Sequence, residues 1–296
     1  MHLIVNFAAP ALPAGRQALA ALPLPHLHRL LARWPGQGRD IQDNHSLSSP
    51  AERAHARAVG LQGADGALPW AAGLAAADGI DVGVAAWALM TPVHIAVDRH
   101  QAVLHDPQAL ALDEAESRAL LEAVRPLFEE DGLVLAWGAP LRWYAAHVMF
   151  DGLASAGLDR VVARDVTPWL PKSTAARALR RLQNEVQMVF HTHPVNAQRE
   201  ARQLRPVNSL WCSGCGPAQP PARVASPHVD QRLRTAAWQQ DWAAWSVAWA
   251  DLDETVIRPL LDDPIGRLTL CGEHGSASWG ADGGLWRRLG AMVRRP

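Results

Sequence analysis

Three cysteines in 296 residues, one tyrosine and a formal net charge of -1 remove support from several classes of protein. Three thiols cannot pair completely, and a chain of this length can bury a sizeable core without staples. A disulfide scaffold is therefore not expected, and a reducing cytoplasm is the expected compartment. A charge near zero offers nucleic acid no broad basic surface. The short clusters Arg180–Arg181, Arg287–Arg288 and Arg294–Arg295 read as solvated faces. No uncharged run approaches the roughly 18 residues of a membrane span. The start, MHLIVNFAAPAL, lacks the basic region and long apolar stretch of a signal peptide. Neither nucleic acid nor a membrane is an expected partner. Internal repeats are absent, and so is a GxSxG nucleophile elbow. Gly214-x-Gly216 is too short for a phosphate loop, and no lysine follows it.

What is present is an ordinary globular composition, 49% hydrophobic and 19% charged, with thirteen tryptophans. His2–Ala8 reads as an opening strand, Leu24–Trp34 as a helix, Gly36–Ser49 as a polar loop, and Ala51–Gly60 as a helix closed by Gly60. Val84–Met90, His94–Val97 and Ala102–His105 are strand candidates. In the helix Asp113–Asp131, Asp113 can cap and Leu120, Leu121, Val124, Leu127 and Phe128 form a stripe. Leu133–Trp137 and Leu141–Val148 pair around Gly138, and Asp159–Arg164 starts another strand. Thr174–His191 is helical, Gln198–Arg205 is a basic loop, and Ala218–Pro227 is Pro-rich and irregular. Across Leu233–Leu252, Trp238, Trp242, Trp245 and Trp249 recur at helical spacing, as core residues do. Strands alternating with helices predict an α/β protein with a largely parallel sheet.

All three cysteines fall into one pattern. PVNSLWCSGCG (Pro206–Gly216) reads as a strand entering a glycine-rich turn, and RLTLCGEHGSAS (Arg267–Ser278) as a second strand and turn. Together they supply Cys212, Cys215, Cys271 and His274, two ligand pairs with the spacing of a structural zinc site. Small buried cysteines in glycine-rich turns also serve as plain packing. Trp211-Cys212-Ser213-Gly214-Cys215 is superficially like a redox WCxxC, but GPAQPPAR cannot readily start the helix that activates such a thiol. His191-Thr-His193 is a ligand pair or a helix-end contact. Asp251 and Asp253 are metal-site remnants or structural carboxylates.

The run HPVNAQREARQLRPVNSLWCSGCG (His193–Gly216) resembles a segment of the archaeal-type cofactor-independent phosphoglycerate mutases. DRVVARDVTPWLP (Asp159–Pro171), AWADLDETVIRPLL (Ala248–Leu261) and LTLCGEHGSAS resemble further blocks of that family. A closer similarity is to the RpfE-type regulatory proteins, through AWALMTPVHI, LDEAESRALLEAVRPLFEEDG, GAPLRWYA, LRRLQNEVQM and THPVNAQREAR. The resemblance implies an alkaline-phosphatase-like α/β core, residues 1–82 and 160–296, with an inserted α/β subdomain at 83–159. It also implies a phosphorylated small ligand or a protein partner.

The departures bear on activity. The mutases hold two metal ions with Asp and His ligands and use a Ser nucleophile. Where their first strand ends in Asp-Gly, this chain has Asn6-Phe7. Ser46, Ser48 and Ser49 lie in the nucleophile region without a recognisable motif. No Asp-x-x-x-His segment lies between Pro217 and Leu233, the Asp-His pair has become Glu273-His274, and LHDPQAL (Leu104–Leu110) replaces an Arg-rich substrate motif. No catalytic residue is assigned. The expectation is a non-catalytic relative with a regulatory or binding role, against a metal-dependent phosphomutase or phosphatase with a divergent ligand set, or a zinc-stabilised interaction module.

Overall fold

The computed structural model describes residues 1–172, 175–220 and 226–281. Residues 221–225 of the Pro-rich segment, the first residue of the Thr174–His191 helix and the clusters Arg287–Arg288 and Arg294–Arg295 lie outside the described residues. In chain order the protein begins with β1 (His2–Ala9), α1 (Pro13–Ala21), α2 (Pro25–Arg33), β2 (Gly36–Ile41) and α3 (Pro50–Val59). Next come α4 (Trp70–Ala77), β3 (Ala86–Val93), β4 (Ile95–Val97), β5 (Ala102–Leu104), α5 (Glu114–Glu130), β6 (Val134–Ala139) and β7 (Arg142–Ala146). Then follow α6 (Leu158–Val161), α7 (Ala175–Thr192), α8 (Pro194–Ala201) and β8 (Ser209–Pro217). The last part holds β9 (His228–Asp230), α9 (Arg234–Gln239), α10 (Trp242–Leu252), α11 (Arg258–Leu260), β10 (Arg267–Gly272) and β11 (Gly275–Gly280).

Two compact units form. Among the described residues, one comprises 1–44, 49–60 and the chain from 226 to 281; the other comprises 45–48 and the chain from 61 to 220.

In the first unit the sheet order is β2-β11-β10-β1-β9. β1 pairs in parallel with β10 and β9, while β10–β11 and β11–β2 are antiparallel. Alternation divides the faces of the sheet. Leu3, Val5 and Leu268 join a core with Leu27, Leu30, Trp245 and Trp249, whereas Ile4 packs with Ala51, Ala54 and Cys271. The tryptophan stripe is core, as its spacing predicts: Trp245 meets Trp242 and Trp249 edge-on at 6.0 and 6.1 Å. It spans two helices, because Gln240 turns left-handed (φ 56°) and Asp241 caps α10 through the Ala244 N–H. β2 corrects the expected loop. GQGRDI has no apolar alternation to reveal it, and it is recruited as an edge strand by β11.

In the second unit the sheet order is β6-β7-β3-β8, with every ladder antiparallel. The protein is thus mixed α/β, and the largely parallel sheet is not found. Tight connections such as Gly138–Leu141 join only antiparallel strands, and the sequence pattern does not record strand direction. α5 starts as predicted, with Asp113 accepting the Glu116 N–H at 2.8 Å. Leu120, Leu121, Val124 and Phe128 enter a core with Leu179, Leu182 and Val186 of α7. The stretch expected as a strand at Asp159–Arg164 opens instead with α6, entered from Gly157. The expected basic loop begins within α8, which Pro194 starts and His193 caps. Its Arg199 is fully buried and binds Glu116, the Leu110 carbonyl and, at 2.9 Å, the Arg205 carbonyl.

His2 carries a pH-dependent term. Its Nε2 meets the Thr269 hydroxyl at 3.0 Å, and burial, then the Arg267 charge, bring its pKa down to about 4. The unfolded chain binds this proton near pH 6.5 while the folded chain resists until about pH 4. The contribution is therefore complete above pH 6.5 and is lost as pH falls toward 4. Thermal melts across pH 4–7.5 should show a smaller acid-side decline for His2→Asn than for the parent chain.

Candidate functional site

Parallel strands gather ligands beyond their carboxyl ends. In the first unit those ends belong to β1, β9 and β10, and the polar side chains there are Asn6, Asp230 and Glu273. Asn6 is buried; its Nδ2 donates to Gln231 Oε1 at 3.1 Å and its Oδ1 accepts the Phe7 N–H at 3.0 Å. Asp230, 5% exposed, gives both oxygens to Arg232. Oδ1 accepts from the Arg232 backbone N–H at 3.0 Å and from Nε at 3.1 Å; Oδ2 lies 2.9 Å from the guanidinium. Arg232 also reaches Asp251 Oδ2 at 2.5 Å and Thr255 Oγ1 at 3.0 Å. Glu273 Oε1 accepts the Ala11 N–H at 3.1 Å. The strand ends thus hold an amide, a carboxylate bound by a fixed cation, and a carboxylate spent on a backbone amide. Asp230 does not stand out in the sequence, because it is not part of an Asp-x-x-x-His segment. The signal was Asp230-x-Arg232, an acid and a base two residues apart.

The backbone at this point is unusual. Between Val5 and Ala9 the β1–β10 register slips, and Phe7 sits in the left-handed region at φ 56°. That conformation favours glycine, and an aromatic residue there is an outlier. The ring is held edge-on to Trp238 at 5.8 Å, and the Trp245 indole N–H donates to the Phe7 carbonyl at 3.1 Å. The strand end thus follows a path that glycine would take without strain, with an aromatic residue on it.

The three serines have structural duties. Asp65 accepts the Ser46 hydroxyl at 2.8 Å and the Leu47 and Ser48 N–H groups at 2.8 and 2.9 Å. Those bonds outweigh burial and hold its carboxyl below the usual range. Ser48 Oγ accepts the Gly66 N–H at 2.8 Å, and Ser49 caps α3 in a reciprocal box with Glu52. Asp253 lies in the π-helical turn after α10 and accepts the His26 and Leu27 N–H groups at 3.1 and 2.7 Å, capping α2. His193 is a helix cap, its Nδ1 accepting the Val195 N–H at 3.2 Å. His191 lines a cavity of about 450 Å³ with Asn184, Phe190 and Asn208.

Cys212 and Cys215 are brought together within the second unit. They lie inside β8, not in a turn after it, and this corrects the sequence reading. Residues three apart on a regular strand face opposite sides. Here Leu89 faces Ser213 and Trp87 faces Gly216, so β8 uses one residue more than β3. The bulge centres on Gly214 at φ 65° and reverses the alternation. Both thiols therefore point into one core, Sγ–Sγ 3.5 Å, with Ser155 Oγ 3.6 Å from Cys215. The contact with Cys215 and burial raise Cys212 well above the usual thiol range, while the facing Cys212 lowers Cys215. Cys212 stands within a strand, not at the start of a helix that follows it in the chain as in a thioredoxin-type pair. Cys271 belongs to the first unit, packed beside Ile4, Ala51 and Ala54, with its pKa pushed up to about 12 by burial. His274 is exposed in the turn between β10 and β11. Among the described residues no three His, Cys, Asp or Glu side chains form a group able to hold a metal ion. No helix among them is long and apolar enough to cross a membrane.

No protein-family model matches the chain. It is 31% identical over 160 residues, 52% of its length, to a probable 2,3-bisphosphoglycerate-independent phosphoglycerate mutase of Geobacter sulfurreducens. The match spans only 38% of that relative, so it shows a distant homology confined to part of the mutase. Solved structures with some likeness include the cofactor-independent phosphoglycerate mutase of Thermoplasma acidophilum, at TM-score 0.36 and 15% identity over 95% of this chain and 91% of that one. The PH0037 protein of Pyrococcus horikoshii gives TM-score 0.46 and 14% identity over 96% and 87%.

Two substitutions test these assignments. Arg232→Ala leaves the buried Asp230 carboxylate without its guanidinium and should cost about 2–4 kcal/mol in urea unfolding at neutral pH. Gly214→Ala puts a Cβ on a left-handed residue, 3.1 Å from Trp70 Cβ, and should cost about 1–2 kcal/mol with the chain still folded.

Proposed function

We propose that this chain is a phosphoglycerate-mutase-like protein without mutase chemistry, which serves a regulatory role by binding a phosphorylated small molecule or a protein partner. The observation that carries this reading is the Arg232–Asp230 pair. A carboxylate at the end of a parallel strand is the kind of group that holds a catalytic cation, and here its charge is met by the chain's own guanidinium at 2.9 Å. An arginine cannot exchange ligands, lower the pKa of a water or bridge a transferring phosphoryl group as a metal does. Asn6 adds a neutral amide where the mutase-like pattern has an anionic ligand. Ser46, Ser48 and Ser49 are committed to Asp65, Gly66 and the α3 cap. Removing a single charge-stabilising group from an active site costs about 10²–10³ in rate, so losing several together leaves little. The alkaline-phosphatase-like core (1–82 and 160–296) with an insert at 83–159 belongs to the same proposal, supported by the partial likeness to the Geobacter mutase.

The test is an assay of the full chain with Mg²⁺, Mn²⁺ or Zn²⁺ against 2- and 3-phosphoglycerate and p-nitrophenyl phosphate. The expected outcome is no metal-dependent turnover above a metal-and-buffer blank. Turnover near 1 s⁻¹, the low end of ordinary enzymes, would overturn the reading in favour of a divergent metal-dependent phosphomutase or phosphatase.

A further inference from the structure

The face of the first unit's sheet that packs on α3 is only partly apolar. Ile4 and Cys271 occupy one portion of it. Across the strands His2 stands opposite Arg267, Thr269 opposite Ser278, and Ser276 opposite Asp40. A cavity of about 510 Å³ opens over these residues, the size of a small-ligand site. Its wall is the flank of α3 that carries Ala54, Arg57 and Ala58; the two alanines leave the space open.

We infer that this cleft is a binding site for a small phosphate-bearing anion. The charges favour one. Arg57 and Arg267 line it with Asp40, and Arg53 stands behind Asp40. Asp40 meets Arg53 Nε at 2.9 Å and Arg57 Nη1 at 2.8 Å through one oxygen, and these arginines hold its carboxyl below the usual range. Three guanidiniums against one carboxylate leave the cleft positive. His2 adds no charge near neutrality, since burial and the Arg267 charge bring its pKa to about 4, and burial likewise lowers nearby His55.

The polar floor supplies donors. His2 Nε2 lies 3.0 Å from Thr269 Oγ1, which lies 2.9 Å from Ser278 Oγ. With the imidazole proton on Nε2, His2 donates to Thr269 and Thr269 to Ser278, so the Ser278 hydroxyl is left to donate to the ligand. Thr269 is 2% exposed, a hydroxyl kept inside a sheet whose other face is built from Leu3, Val5 and Leu268. Guanidinium forks and hydroxyls around a cleft of this size suit phosphate oxygens. Asn6, Asp230 and Arg232 do not line the cleft, so the inference holds whether or not the strand ends turn over phosphoesters.

Calorimetric titration of the full chain with pyrophosphate, at fixed ionic strength in a phosphate-free buffer, tests it. Saturable 1:1 binding is expected. Arg267→Gln changes an exposed side chain and should weaken binding at least tenfold; Thr269→Val keeps the shape, breaks the hydroxyl chain and should weaken it severalfold. Arg118→Gln, on an exposed face of α5 in the other unit, should leave binding unchanged. Absence of saturable binding, or an equal loss with Arg118→Gln, would overturn the inference. Turnover in the phosphoester assay bears on the strand ends alone.

Discussion

The first unit depends on one buried strand. β1 is hydrogen-bonded on both edges and covered on both faces, and Leu3, Ile4 and Val5 have no exposed surface. Alternation makes these three residues serve two cores at once: the tryptophan-rich side takes Leu3 and Val5, and α3 takes Ile4. A strand so enclosed cannot shift register without exposing one set and burying the wrong one. Its two ends inherit that rigidity. The amino end fixes His2 over the polar cleft, and the carboxyl end fixes Asn6 beside Asp230.

The two ends treat charge differently. At the carboxyl end, one guanidinium, Arg232, is shared by Asp230 and Asp251, and Glu273 accepts a backbone amide, so each carboxylate already has a donor while the local balance is negative. On the α3 face, one carboxylate is shared by two arginines while Arg267 adds a third positive charge. For an anionic solute, electrostatics therefore favours the face of the sheet over the strand ends.

Elements whose signals are local were legible in the sequence. The Asp113 cap and its stripe and the Gly60 closure of α3 depend on neighbours within a few residues, and they fold as they read; the tryptophan spacing reads as core, but its helix breaks in two at Gln240. What was not legible depends on distant partners. β2 has no pattern of its own and exists because β11 offers an edge. Arg199 looks like a loop base and is buried because the distant Glu116 and Leu110 carbonyl, with the nearby Arg205 carbonyl, receive it. Parallel pairing is confined to β1 with β9 and β10 among the described ladders, because strand direction is set by pairing, not by composition. At the candidate site, Asn6 and the absence of a nucleophile motif could be read directly. Asp230 could not, since its partner Arg232 gains meaning only when β9 is laid beside β1. The cysteine pair was visible as CxxC, but the extra residue that turns both thiols to one side appears only against β3.

The left-handed Phe7 is a consequence of strand length. Between Val5 and Ala9, four steps along β1 accompany two along β10, so the excess length sets the backbone path and the side chain accommodates to it. At Asn6-Phe7 the main chain makes a turn that glycine would enter without strain. The irregularity at the end of the first strand is thus fixed by unequal strand lengths, and any residue placed at position 7 must accept a left-handed backbone.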